Sequence, residues 1–156
     1  MNTTNVEQAS KDIIEKVKQA LFASNVQKID EEMGSNKDPF NNAFYLSKED
    51  QINYVLGELR IAYGEVQGEF EKYKAYRKYS LLVEYESDGQ ITVNDKILKP
   101  NRQPGNEILE DLIKAEIPNT LGALITLHAL IERAEGSIKT CRSHIYSSEG
   151  VSHGNQ

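Results

Sequence analysis

One cysteine, Cys141, stands in 156 residues, so no intrachain disulfide is available. Its place on an apolar seam reads as a buried thiol in a reducing compartment. Long apolar runs are missing as well. No stretch approaches the ~20 residues of a membrane span, and the polar start MNTTNVEQASKD lacks the cationic and apolar regions of a signal peptide. The expectation is a cytoplasmic protein with no membrane partner. Positive charge is also short: 18 Lys and Arg against 24 Asp and Glu give a formal charge of −6 and a pI near 5.1. That balance excludes a protein that binds nucleic acid with its whole surface, but screening over ~10 Å leaves room for a local basic face.

Catalytic signatures are equally scarce. The chain has no GxxxxGK[ST] or GxGxxG phosphate loop and no HExxH. His128, His144 and His153 are not at ligand spacing with one another or with Cys141, so no metal site is expected. Cys141 and His144 lie three apart on a helix, yet no orienting third group accompanies them, and a buried cysteine beside a surface histidine is the simpler reading. Glu65, Glu69 and Glu71, and Glu107, Glu110 and Asp111, sit among lysines and other acids as a solvated helix face does. The chain is read as a non-enzyme without cofactor.

What is present is helical patterning. Thr4 with Glu7 has capping-box spacing, and Val6, Ile13, Val17 and Leu21 share a face, predicting a first helix to about Ala23. From Ser24 to Leu46 the composition is Asn, Asp, Ser and Gly with an Asp38-Pro39 turn signal, which predicts a linker and a detachable first helix. Ser47 with Asp50 then opens a long helix, in which Ile52, Leu56, Leu59, Tyr63, Val66, Phe70 and Tyr73 follow the spacing of a coiled-coil seam. Gly57, Gly64 and Gly68 interrupt it, each at a cost of about 1 kcal/mol, and would let another backbone approach closely. Residues 80–99 read either as more helix or as a ribbon. The favoured reading ends the helix between Tyr79 and Glu86 and turns a β-hairpin at Asp88-Gly89, with Asn94-Asp95 as a further turn. Asn106 is expected to cap a helix through Ile108, Leu109, Leu112 and Ile113 that Pro118 breaks. A last seam runs from Leu121 through Leu124, Leu127, Ile131, Ala134, Ile138, Cys141 and Ile145 until Gly150 opens a polar tail.

The predicted fold is therefore mainly α: an antiparallel long-helix hairpin, coiled-coil-like, with a short N-terminal helix and a small β-hairpin at the tip. Its expected divisions are an N-terminal helix and flexible linker (1–46), a helical hairpin domain (47–150) and a disordered tail (151–156). Such an architecture buries little surface alone, and homo-oligomerisation through Leu124, Leu127, Ile131, Ile138 and Ile145 would supply the rest.

One window stands apart. Phe70, Tyr73, Tyr76 and Tyr79 recur every third residue, with Lys72, Lys74, Arg77 and Lys78 threaded among them and no acid after Glu71. Two readings compete. The rings can continue the apolar seam with the lysines as its wet flank. Alternatively, the rings stack unpaired bases while the cations meet phosphates. A stripe spaced by three drifts ~60° per step around a helix, so one seam cannot cover all four rings.

The segment FEKYKAYRKY (Phe70 to Tyr79) and the closing helix from Leu121 to Tyr146 resemble the small recombination mediators of tailed phages, the UvsY type. The resemblance implies an oligomer that binds single-stranded DNA and helps load a recombinase on strands coated by single-strand-binding protein, in the host cytoplasm if phage-encoded. It would assign strand contact to Lys74, Arg77 and Lys78. From the residues themselves, Lys72, Lys74, Arg77 and Lys78 would serve phosphates, and Tyr73, Tyr76 and Tyr79 bases. The alternative is a helical protein-protein interaction module, a scaffold, chaperone or inhibitor, without nucleic-acid binding.

Overall fold

The computed structural model describes residues 3–23 and 26–153. In order these form α1 (Thr3–Ala23), α2 (Val26–Ser35), α3 (Asn42–Asp88), β1 (Ile91–Val93), β2 (Lys96–Leu98), α4 (Asn106–Glu116) and α5 (Pro118–His153). The protein is mainly helical, with one small antiparallel sheet among the described residues. The chain falls into two compact units, one of Met1–Ile14 with Gly64–Ile125 and the other of Glu15–Tyr63 with Thr126–Gln156. No helix among the described residues is long and apolar enough to cross a membrane.

In the first unit the core is built from Val6, Phe70, Tyr73, Leu81, Ile91, Val93, Leu109, Ile113 and Ile117, with Leu82, Tyr85, Leu112, Leu121 and Leu124 packed against it. The start of α1 is no detachable arm, since Val6 and Ser10 are buried and the Ser10 hydroxyl is 2.9 Å from that of Thr120. α1 starts at Thr3, one residue before the expected cap Thr4, and Glu7 reaches the start of α5. Its carboxylate accepts from the backbone N–H groups of Asn119 and Thr120, both at 3.1 Å, and so caps the first turn of α5, where Ile117 at the cap position has no side-chain oxygen.

Residues 80–99 hold both elements, the helix running two residues past Glu86 and the β-hairpin following it. α3 continues to Asp88 because Leu81 is buried and Leu82 and Tyr85 reach the core. Asp88-Gly89 is therefore a helix stop rather than a hairpin turn: Gly89 sits at φ +65° and donates its N–H to Tyr85 O at 2.8 Å. The hairpin turn is Asn94-Asp95, with φ values of 49° and 60°, the positive pair that a two-residue type I′ turn requires. It aligns Val93 with Lys96, Thr92 with Ile97 and Ile91 with Leu98. α4 opens at Gly105 rather than being capped by Asn106, and it ends before Pro118 as expected.

The second unit corrects the linker. Ser24 and Asn25 lie outside the described residues, but from Val26 the chain is helical, because Val26, Ile29 and Met33 share one face. Val26 and Ile29 are buried, and Met33 Sδ receives the Cys141 thiol at 3.2 Å. Asp30 accepts from Ser137 Oγ at 2.6 Å and Arg133 at 3.3 Å. α3 then starts five residues before Ser47. Asn41 Oδ1 accepts the Phe44 N–H at 3.1 Å and caps it. Of the predicted α3 seam, every residue but Tyr63 is buried. Gly57, Gly64 and Gly68 have no close neighbour among the described residues, since a Cβ at each would meet nothing within 4 Å. α5 runs past Gly150 to His153, and the remaining tail residues, 154–156, lie outside the described region.

Candidate functional site

The residues from Phe70 to Val83 in the first unit form consecutive turns of one helix. At ~100° per residue, Tyr73, Phe70, Arg77 and Leu81 fall on one side, and Lys72, Tyr76, Tyr79 and Val83 fall within about 60° of one another on the other. Burial divides them the same way. Tyr73 and Leu81 are almost fully covered, whereas Tyr76, Tyr79 and Val83 are 48%, 71% and 42% exposed.

The inner side is a closed polar network. Arg77 donates through Nε and Nη2 to both oxygens of Glu116 at 2.8–3.0 Å, through Nη1 to Ser80 Oγ at 3.0 Å, and through Nη2 to the carbonyl of Thr92. The Tyr73 hydroxyl donates to Glu116 at 2.8 Å and lies 3.3 Å from that of Thr3. Glu116 is 5% exposed at its side chain, so its charge is tolerable only because this fork and phenol hold it. Burial pushes the Tyr73 phenol above its ordinary range, reinforced by the Glu116 carboxylate and opposed by Thr3. Hydrogen bonding to Glu116 holds Arg77 still more firmly protonated. A polar cleft of about 530 Å³ adjoins the network, lined by its members and by Tyr76, Asn94 and Asp95.

The outer side is open. Lys72 pairs with Glu69 at 3.0 Å, whereas Lys74 falls about 40° from Phe70, at the border of the inner side, where it pairs with Glu71 at 2.7 Å and lies 5.3 Å from the Phe70 ring centroid. Such surface pairs are worth less than about 1 kcal/mol and exchange readily for another anion. Lys78 is half-buried one turn on from Lys74. Of the seven residues expected to contact a strand, Lys72, Lys74, Lys78, Tyr76 and Tyr79 remain presentable; Tyr73 and Arg77 are held inside by Glu116. Sequence reasoning missed Glu116. Its only signal is an acid beside the apolar Ile113 and Ile117.

The expected assembly seam is largely covered by the chain itself. Leu127 and Ile138 are buried, and Leu124, Ile131 and Ile145 are half-buried. Cys141 and His144 do not engage each other: burial raises the Cys141 thiol and Met33 receives it, while His144 stacks on Tyr45 with ring centroids 4.3 Å apart. Among the described residues no group of three or more His, Cys, Asp and Glu could hold a metal ion. Compared with protein-family models, with curated proteins and with solved structures, the chain matches none.

Proposed function

We propose that this chain is a non-enzymatic accessory protein of phage-type DNA recombination or repair, akin to the UvsY-type mediators, which binds single-stranded DNA and assists recombinase loading. The observation that carries the reading is the outer stripe of α3, where Tyr76 and Tyr79 present open rings one and two turns from Lys72, with Lys78 and Lys74 about 100–160° round the helix from those rings, toward Phe70. Stacking on such rings is worth about 1–3 kcal/mol per base and tolerates any sequence, while the lysines neutralise phosphates. The contact set is thus Lys72, Lys74, Lys78, Tyr76 and Tyr79, with Arg77 and Tyr73 shaping the helix beneath. A homo-oligomer in the cytoplasm would repeat this weak patch and bind by avidity despite the acidic balance. The antiparallel long-helix arrangement is supported by the second unit, where the partners Glu49–Arg142, Arg60–Glu135 and Tyr63–His128 rise along α3 as they fall along α5.

Anisotropy of labelled oligothymidine tests this reading. Binding should weaken with salt by a log-log slope of about 0.7 per neutralised phosphate. Absence of binding at low salt would reject it. A second reading, a helical protein-interaction module, is favoured by Val83, which extends the stripe with an apolar residue at the 4,3,4 spacing of a helix-docking seam.

A further inference from the structure

The β-hairpin and α4 carry a surface that strand binding by α3 does not use. A groove of about 620 Å³ is lined by Ile91, Leu98, Pro100, Pro104, Ile108 and Leu112, with Asn101, Arg102, Gln103 and Gly105 completing its wall. Its size falls in the range of about 300–1,000 Å³ typical of ligand clefts, and its floor is apolar. No acid and no aromatic ring lines it. The segment Lys96 to Arg102 holds three cations, Lys96, Lys99 and Arg102, and no acid, in a chain of net charge −6. All three are exposed, and none takes part in the ion pairs found among the described residues.

The strand beside the groove is also open. Among the described residues β2 pairs only with β1, and Lys96, Ile97 and Leu98 are all exposed. Because Val93 and Lys96 flank a two-residue turn, they form the hydrogen-bonded pair, and the next pair, Thr92 with Ile97, does not. The N–H and C=O of Ile97 therefore point to the outer edge, where an added strand would meet them.

We propose that this groove docks an acidic, extended peptide segment of a partner protein. Its apolar side chains lie against Leu98, Ile108 and Leu112, its backbone meets the edge at Ile97, and its carboxylates face Lys96, Lys99 and Arg102. A nucleic-acid strand fits less well, since no aromatic ring lines the groove to stack a base and its floor is apolar. This docking is independent of strand binding by α3.

The test is anisotropy of a labelled synthetic peptide alternating aspartate and leucine, and of its lysine-leucine counterpart, against the full chain. The acidic peptide should bind at least about tenfold more tightly than the basic one and weaken as salt rises. Lys99→Glu with Arg102→Glu should lower its affinity by at least about tenfold, as should Ile108→Asp, with helicity by circular dichroism unchanged because all three positions are exposed. Tyr76→Ala with Tyr79→Ala should leave peptide affinity unchanged, which separates this proposal from the strand-binding one. Equal affinity for the two peptides, or no effect of charge reversal, would overturn it. So would a loss of oligothymidine affinity in the charge-reversed variant, which would give the cations to nucleic acid, or a halved mass by light scattering in Ile108→Asp, which would give the groove to a second copy.

Discussion

Between Phe70 and Val83, α3 carries tyrosine and a cation on both of its faces, and the two sets behave differently. On the inner face Tyr73 and Arg77 converge on one buried carboxylate, Glu116, and every strong donor there has a partner. On the outer face Tyr76 and Tyr79 stand open, and Lys72 holds only an acid one turn away. Both sets combine tyrosine with a cation, arginine inside and lysine outside. What separates their roles is the angle around the helix relative to a single acid from α4, and a role therefore cannot be assigned to this window as a whole.

The contrast can be broken most severely from inside. Glu116→Ala leaves the Arg77 guanidinium without its counter-charge in a largely covered site, and should cost about 3 kcal/mol in urea unfolding. Leu81→Ala, at a fully covered core position, should cost a similar amount, about 3 kcal/mol. Tyr73→Phe removes one hydroxyl and its bond to Glu116, with an expected loss of about 1 kcal/mol.

Tyr73→Phe also sharpens the comparison through pH. Burial raises the folded Tyr73 phenol, so the folded state keeps a proton that the unfolded chain releases near pH 10. The stabilisation is complete below the unfolded value and is lost as pH rises through the folded one. The native protein should therefore lose stability above about pH 10 more steeply than Tyr73→Phe does. The effects shrink from there. Gly57→Ala and Gly64→Ala, in helix interior with open space around the new methyl, should each add about 0.5–1 kcal/mol. Lys72→Ala, on the outer face, should change stability by no more than about 0.5 kcal/mol.

The same contrast explains how far the sequence could be read. The seam of α3 was legible because Ile52, Leu56, Leu59, Val66, Phe70 and Tyr73 repeat at helical period and a helix must cover them. That one face could not hide all four rings of the window was legible too, from angle alone. The seam ran through Phe70 and Tyr73, the two rings that are covered; that Arg77 would be held inside with them was not legible, since that depends on Glu116, forty-three positions from Tyr73. α2 was missed for a related reason. Its polar residues look like a linker, yet Asp30 is anchored by Ser137 and Arg133, far along the chain. Asp88-Gly89 misled because the pair suits both a hairpin turn and a helix stop; burial of Leu81 selected the stop. Lys96, Lys99 and Arg102 went unread in the sequence because nothing there joins them to the apolar groove between β2 and α4, which the fold builds from separate elements.

The most direct test of the account pairs two readings on one variant, Tyr76→Ala with Tyr79→Ala. Removing two stacking rings should lower affinity for labelled oligothymidine by at least about tenfold, while urea unfolding stays within about 1 kcal/mol of the native protein. Unchanged oligothymidine affinity in a stably folded variant would contradict the claim that the outer face of α3 is the binding face.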